Sequence, residues 1–421
     1  MNAPLNAPEI PVAEAERCVA CGMCLPHCPT YLETRRETES PRGRISLMLA
    51  LARGELPVSE TLEGHLSLCL SCRSCEAVCP SEVGYGRLLD GARAHIEAVR
   101  PRRGPVARAR RFALDHVLPF PGRLRLAARL LRLYQRSGLQ RLLRAAGALR
   151  LLGLRELDAG LPGLPRQRRW RSYYPATGTP RGEVALFTGC IAAAADRSTL
   201  ESAIAVLNAL GYGVRVPPSQ ACCGAIHLHD GEPAGAVDLM RRNLAAFGDD
   251  GRAAIVHCAS GCGATLQEYD RHLDGAGGFT ARAQDISTLL DRIEWPPEVR
   301  LEPLRARLAL HTPCTLRNVL RAERAPARLL ARIPGLEVSP LDDGPRCCGA
   351  AGTYFLAHPA MADTLRAHKI RQAEAERPDI IATSNVGCAL HLAAGLRERG
   401  IDIEVVHPVT VVARQLRRTK G

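Results

Sequence analysis

Residues 18–29 read CVACGMCLPHCP and residues 69–80 read CLSCRSCEAVCP, so the pattern C-x2-C-x2-C-x3-C-P occurs twice in the first 80 positions. Three thiolates two residues apart wrap a tight loop around three irons of a cubane cluster, and the fourth cysteine of each run reaches across to the cluster of the other. The expected ligand sets are Cys18, Cys21, Cys24 and Cys79 for one [4Fe–4S] cluster, and Cys69, Cys72, Cys75 and Cys28 for the second. Crossing of the fourth ligands sets the two clusters side by side, as an electron relay requires. Zinc also uses C-x2-C pairs, but it closes with four tetrahedral ligands and has no use for a third, equally spaced cysteine followed by x3-C-P in both copies.

Outward from these runs, the cysteines divide the chain. Eight lie before residue 95 and the next 85 or so positions contain none. That gap is basic: from Arg100 to Arg171 there are 19 Arg, no Lys and three acids, a net charge of +16, so the rest of the chain sums to −3. Leu124, Leu126, Leu130, Leu131, Leu133, Leu139, Leu142 and Leu143 recur there at three- and four-residue steps among the arginines, which predicts amphipathic basic helices. Such helices suit an anionic membrane surface or an acidic partner, or else form a positive face packed on their own protein.

The C-terminal 240 residues repeat. VALFTGC, ending at Cys190, matches LALHTPC, ending at Cys314; QACCG (Cys222, Cys223) matches PRCCG (Cys347, Cys348); IVHCASGC, ending at Cys262, matches IATSNVGC, ending at Cys388. In each unit short apolar runs (Val184–Phe187, Tyr212–Val216 and Ala253–His257; Leu308–Leu310, Leu336–Leu341 and Ile380–Thr383) alternate with helix-length stretches, which predicts β/α layering with parallel strands. The cysteines then fall just past strand ends, where open α/β sheets bind ligands. Cys190, Cys222, Cys223, Cys262, Cys314, Cys347, Cys348 and Cys388 are therefore candidates for a further iron–sulfur or zinc site. Cys258 gives the first unit a fifth thiol where the second has Ser384, which makes the first the stronger candidate. The histidines His227, His229, His257, His311 and His391 flank these loops, where hydrogen bonding to the ligands or surface exposure is the expected role rather than ligation.

The expected fold is therefore α+β and mainly helical: a helical two-cluster ferredoxin-like module (1–95), an Arg-rich helical linker (96–180), and a duplicated α/β domain with parallel strands (181–300 and 301–421). Its 421 residues, 46% hydrophobic and 24% charged, suit a folded, soluble chain. The N-terminus lacks a basic and then apolar leader, so the cytoplasm is expected, and there 17 cysteines need another explanation than disulfides. Sixteen aromatic residues are too few for base-stacking platforms, which argues against nucleic acid as partner. G-x-G-x-x-G, P-loop and G-x-S-x-G patterns are absent, so no flavin, nicotinamide or nucleotide site is expected on this chain, and no catalytic residue is assigned.

Two ferredoxin runs followed by two CCG repeats resemble the iron–sulfur subunits of respiratory oxidoreductases, and most closely those of bacterial glycolate oxidase. The residues that carry the resemblance are CPTY (28–31), PRGRI (41–45), ASGCGA (259–264), CCGAAGTY (347–354) and NVGCALHL (385–392). The resemblance implies an electron-transfer subunit, inactive alone, of a glycolate dehydrogenase complex. Flavin-containing partner subunits would oxidise glycolate or related 2-hydroxy acids to glyoxylate or the 2-oxo acid. Electrons would then pass through two [4Fe–4S] clusters here to a respiratory acceptor such as quinone, at the inner face of the cell membrane. The alternatives are a heterodisulfide-type thiol–disulfide reductase subunit, or the iron–sulfur subunit of a lactate or glycerol-3-phosphate dehydrogenase complex. Ala259 and Asn385 stand where heterodisulfide reductases complete a C-x2-C, which weakens the first of these.

Overall fold

The computed structural model describes residues 8–151, 158, 160–248, 253–341 and 346–417; Glu156, one of the acids counted above, lies outside them. Up to residue 99 the chain is helical around its cysteine loops. Ser40 caps the helix Pro41–Ala52 by accepting from the Gly43 N–H at 2.9 Å, with Pro41 in the first turn where its missing N–H is not needed. Gly43 is obligatory: a Cβ there would stand 2.0 Å from the Glu37 carbonyl oxygen. This helix packs against Glu60–Ser67 and Tyr85–Val99 around Ile45, Met48, Leu62, Leu66, Leu88 and Leu89, and that core backs the cysteine loops.

The basic segment forms the helices Pro105–Phe112, Pro121–Arg136, Leu139–Ala145 and Ala148–Leu151. Leu118 and Leu124 pack on the core of the first C-terminal unit. Arg102 and Arg110 both pair with Asp230 there, so part of the positive charge serves to fasten the segment down.

Both apolar triplets become parallel strands, as the repeat predicts. In the first unit β2 (Gly182–Phe187), β3 (Tyr212–Arg215) and β4 (Ala254–His257) lie in the order β3-β2-β4. The edges are β1 (Tyr173–Tyr174), antiparallel to β3, and β5 (Ala283–Asp285), parallel to β4. In the second unit β6 (Ala306–His311), β7 (Leu336–Pro340), β8 (Ile380–Thr383) and β9 (Glu404–Val406) give β7-β6-β8-β9, all parallel. In each triplet the first strand, β2 or β6, lies between the other two, so the order reverses beside β2 and beside β6. The crevice beyond the strand ends at that reversal is where side chains from separate connections can meet.

One apolar core spans both units, with Val184, Leu186, Leu207 and Leu290 continuous with Leu308, Leu329, Val409 and Val412. Ser260 N–H donates to the Ser384 carbonyl at 3.0 Å, and Thr315 Oγ1 donates to Ser260 Oγ at 2.8 Å, so the corresponding loops of the two units touch. No helix among the described residues is long and apolar enough to cross a membrane.

Candidate iron–sulfur and metal centres

The two N-terminal runs share one backbone. Ala20 and Ser71, the residues before the second cysteine of each run, are left-handed at φ 53° and 51°, and Gly22 and Arg73, just after it, at 81° and 55°. Left-handed turns in non-glycine residues cost energy and persist where their surroundings impose them; here they curl the loops around the thiols. Cys18, Cys21 and Cys24 line one cleft, and Cys79 reaches it from the other run, with Cys75 also on its wall. Cys28 of the first run lies in turn among the second: its charge raises the thiol pKa of Cys72 and Cys75, and that of Cys69 raises its own.

Burial is the largest cause pushing the thiols of Cys24 (to about 11), Cys28, Cys72 and Cys75 above the ordinary range, and neighbouring thiolates add to it. Four bare thiolates are costly in such a place, whereas a cationic iron centre neutralises them, so the donor set and its dry setting fit clusters. Cys21 is the exposed member of the set; Cys28 and Cys72 are buried.

Sequence reasoning left out the support behind this site. Arg44, only 1% exposed, donates from Nη2 to Glu39 Oε2 at 2.6 Å, from Nη1 to Thr30 Oγ1 at 3.0 Å and from Nε to the His65 carbonyl at 2.8 Å. Thr30 Oγ1 lies 3.3 Å from Cys28 Sγ, and His65 Nδ1 lies 2.6 Å from Glu39 Oε1. Burial works against the charge on Arg44, but its ionisable neighbours Cys69, Tyr85, Cys28 and Glu39 outweigh it and hold its pKa above the ordinary value. The CPTY and PRGRI segments thus meet in one network. Their signal in the sequence was their oddity beside the cysteines, without a partner to pair them.

In the first C-terminal unit the strand ends bring four thiols together. Cys190 Sγ is 3.5 Å from Cys222 Sγ; Cys223 hydrogen-bonds Cys222 and Cys262. Thiol hydrogen bonds from Cys190 and Cys223 lower the pKa of Cys222 well below the usual value, making it the first to ionise. Gly224, at φ 91° with a Cβ position 3.3 Å from the Ala236 carbonyl oxygen, lets the chain turn at once after the vicinal pair. Cys258 corrects the expectation of a fifth thiol in this set. Pleating points Val256 and Cys258 to the core shared by the two units, whereas Ile255 faces the core that contains Cys190, Cys222 and Cys223. Burial raises the Cys258 thiol pKa, with Asp285 and Asp196 adding to it.

The second unit brings together Cys314, Cys347, Cys348 and Cys388 through a chain of thiol hydrogen bonds in that order. A ring nitrogen of His311 and the sulfurs of Cys348 and Cys388 all lie within 4.8 Å of one another. Burial pushes His311 down to about 3, with Lys369 and Arg317 adding to it. The other histidines stand apart from the thiols in their bonding: His229 lies 3.0 Å from Asp90, His227 lies 3.8 Å from Asp115, and His391 lies 3.3 Å from the Ala362 carbonyl oxygen. His257 is buried with neither ring nitrogen hydrogen-bonded among the described residues, 4.0 Å from Asp285.

The N-terminal module sits on these strand ends. Asn318 Nδ2 donates to the Cys72 carbonyl at 2.8 Å, Tyr354 OH to the Leu68 carbonyl at 3.0 Å, and Arg73 Nη1 to Glu268 Oε1 at 2.6 Å. Cys72 and Cys347 are buried in one apolar cluster with Leu70 and Tyr354, and the charge of Cys314 is felt at Cys72. The loop of the second run therefore abuts the thiols of the second unit.

Three family models match four segments of the chain. Residues 14–83 match a 4Fe-4S dicluster domain; 105–161 match the linker region of the glycolate oxidase iron-sulfur subunit; 184–267 and 308–393 each match a cysteine-rich domain. Among curated proteins, a probable glycolate oxidase iron-sulfur subunit of Bacillus subtilis (strain 168) is 37% identical over 94% of this chain and 92% of its own length. The glycolate oxidase iron-sulfur subunit of Escherichia coli (strain K12) is 33% identical over 95% and 94%. Lactate utilization protein A of Geobacillus kaustophilus (strain HTA426) is 27% identical over 54% of this chain and 98% of its own length.

Proposed function

The chain belongs to the family of glycolate oxidase iron–sulfur subunits, and from that premise we propose that it carries electrons, one at a time, from flavin-bearing partner subunits to a respiratory acceptor such as quinone. The partners would oxidise glycolate, or a related 2-hydroxy acid, to the 2-oxo acid. The observation that carries the proposal is the seat of the Cys69–Cys75 loop on Cys314 and Cys347, with Cys21 of the first run exposed. Sulfur donors of the second run thereby come against those of the second C-terminal unit.

Two [4Fe–4S] clusters, when bound, supply one-electron transfer and take no hydride. The chain's own residues hold and insulate them: Cys18, Cys21, Cys24 and Cys79 for one, Cys69, Cys72, Cys75 and Cys28 for the other, with Arg44 offsetting thiolate charge. We assign no catalytic residue to this chain. The C-terminal thiols, four in each unit, are read as a further metal-bearing site. The linker supports a peripheral membrane position: Leu126, Leu130 and Leu133 fall on one helix face and, with Leu142, are 57–64% exposed. Exposed Arg123, Arg129 and Arg136 flank them, an arrangement that suits an anionic bilayer surface on the cytoplasmic side.

The test is transfer in the assembled complex. With flavin subunits present, glycolate should reduce the clusters and then a quinone analogue. Substitution of Cys21 or Cys72 by Ala should abolish quinone reduction while dye reduction directly at the flavin survives. Steady glycolate oxidation by this chain alone, free of flavin, would refute the relay. Replacing glycolate by lactate in the same assay separates the reading suggested by the lactate-utilisation relative.

A further inference from the structure

The two C-terminal units have diverged at one position that faces the thiols. The last residue of the central strand is Phe187 in β2 and His311 in β6. Phe187 packs its ring 6.0 Å from that of Phe247 in an aromatic cluster. His311 occupies the corresponding place with a polar ring, 1% exposed, among buried sulfurs. A buried imidazole is expensive unless both nitrogens are used.

We propose that His311, Cys348 and Cys388 bind a single divalent ion of zinc-like softness, separate from the N-terminal clusters. The proposal rests on the metal-bearing reading of the C-terminal thiols and narrows it, in the second unit, to a mixed nitrogen and sulfur site. Its donors come from three connections: the end of β6, the loop after β7 and the first turn of the helix Val386–Glu398 after β8. All three are buried and mutually within 4.8 Å. Around a tetrahedral ion with Zn–S of about 2.3 Å and Zn–N of about 2.0 Å, ligand atoms stand about 3.5–3.8 Å apart, so a small inward shift of each donor closes the site. Donors serving different irons of one cluster would have to stand further apart than donors that share one ion.

Each of two ligands is also held from behind. His311 Nδ1 lies 2.9 Å from Thr383 Oγ1, on the strand paired with β6, which orients the ring and leaves Nε2 for the ion. Asn385 Nδ2 donates to Cys388 Sγ at 3.3 Å, a bond that favours the thiolate. Asn385 is the residue that replaces the first cysteine of a C-x2-C pair, so the position that would add a thiol instead steadies one. Cys347 hydrogen-bonds Cys348 from just outside the three-donor group, and a shift toward the ion would make it the fourth donor. The ion would brace the wall against which the Cys72 loop rests.

Metal and sulfide analysis of the full chain, prepared anaerobically, tests this. Besides the cluster iron, wild type should retain one equivalent of zinc against a chelator, and Co2+ in its place should show thiolate-to-cobalt absorption. His311→Ala should weaken retention more than tenfold and Thr383→Val about tenfold, with iron and sulfide unchanged in both. His311→Cys should restore retention and alter the cobalt d–d bands, which excludes a folding defect as the cause. Zinc retention unchanged in His311→Ala, no ion beyond the cluster iron, or extra iron accompanied by extra sulfide would each overturn the site. Loss of zinc in Cys223→Ala but not in His311→Ala would keep the broader metal-bearing reading and refute this one.

Discussion

Replacing Arg44 by Met should be the most damaging single change outside the cysteines of the N-terminal module. The guanidinium is buried and spends its donors on Glu39, Thr30 and the His65 carbonyl. Methionine fills much of the volume but leaves Glu39, itself 4% exposed, with His65 Nδ1 as its remaining side-chain partner among the described residues. Breaking a buried pair in this way costs about 3–5 kcal/mol, most of it the stranded charge rather than the lost attraction. With a urea slope of about 1–2 kcal/mol/M for a module of this size, the midpoint should fall by about 1.5–5 M. Urea titration of the full chain, followed both by circular dichroism and by bleaching of cluster absorption, reads the effect and shows whether module and clusters fail together. Glu39→Gln added to Arg44→Met removes the stranded charge, so the double variant should be more stable than Arg44→Met alone by roughly 1–3 kcal/mol. A midpoint shift under about 0.5 M, or a double variant no better than the single, would show that the network does not hold the site.

Acid should loosen the interface between the C-terminal units. Burial depresses His257 and His407 to about 3 and raises Asp285 to about 6. The unfolded chain takes up protons on both histidines near pH 6.5 that the folded chain refuses, so their contribution is present above that pH and lost as pH falls toward 3. At pH 5 the loss is about 2 kcal/mol for each. Asp285 acts with opposite sign, its proton being held by the folded chain between about pH 6 and 4, which leaves a net loss of about 2–3 kcal/mol. His407→Asn, which keeps an acceptor for the Val409 N–H, should flatten the dependence of the urea midpoint between pH 7 and 5; an unchanged slope would count against it. Cys79→Ala should damage the cluster of Cys18, Cys21 and Cys24, and electron paramagnetic resonance showing loss of the Cys69-run cluster instead would establish local ligation. Sedimentation with anionic vesicles should show binding that weakens from 0.1 M to 1 M salt, as the Debye length falls from about 10 Å to about 3 Å. Changing Leu126, Leu130 and Leu133 to Ser should weaken it further, and binding that ignores both changes would leave the linker as packing alone.

The parts of this protein that were legible in the sequence are those in which chemistry repeats at short range. The C-x2-C-x2-C-x3-C-P runs are such a case, because three thiols on one loop need nothing from the rest of the chain to be recognised. The apolar triplets around VALF and LALH are another, since two copies with cysteines in register reveal strands that are only four to six residues long. Three-residue strands such as β5 and β9 offer too few positions for alternation and were missed. Arg44 was missed for a different reason: its meaning depends on Glu39, Thr30 and His65, and only folding shows that a guanidinium between Gly43 and Ile45 points inward. Cys258 was overvalued because a count of thiols carries no direction, and one step along a pleated strand moves a side chain to the opposite face.

His311 shows where a repeat both helps and misleads. Aligning the units on cysteine picked out eight thiols and treated the two sets as copies, with the first favoured by number. The corresponding strand ends instead place a phenyl ring beside one set and an imidazole beside the other, so the sets are unlike in a non-sulfur group that faces them. The module bearing the Cys69 run rests on the set that has the imidazole, through Asn318, Tyr354 and the shared cluster around Cys347. The first unit meets the N-terminal region through ion pairs, Arg73 with Glu268 and Arg102 and Arg110 with Asp230. Both units thus hold the N-terminal module through polar contacts, and on the relay proposed above the second, whose thiols share an apolar cluster with Cys72, is the one in which a bound metal would adjoin the Cys69-run cluster.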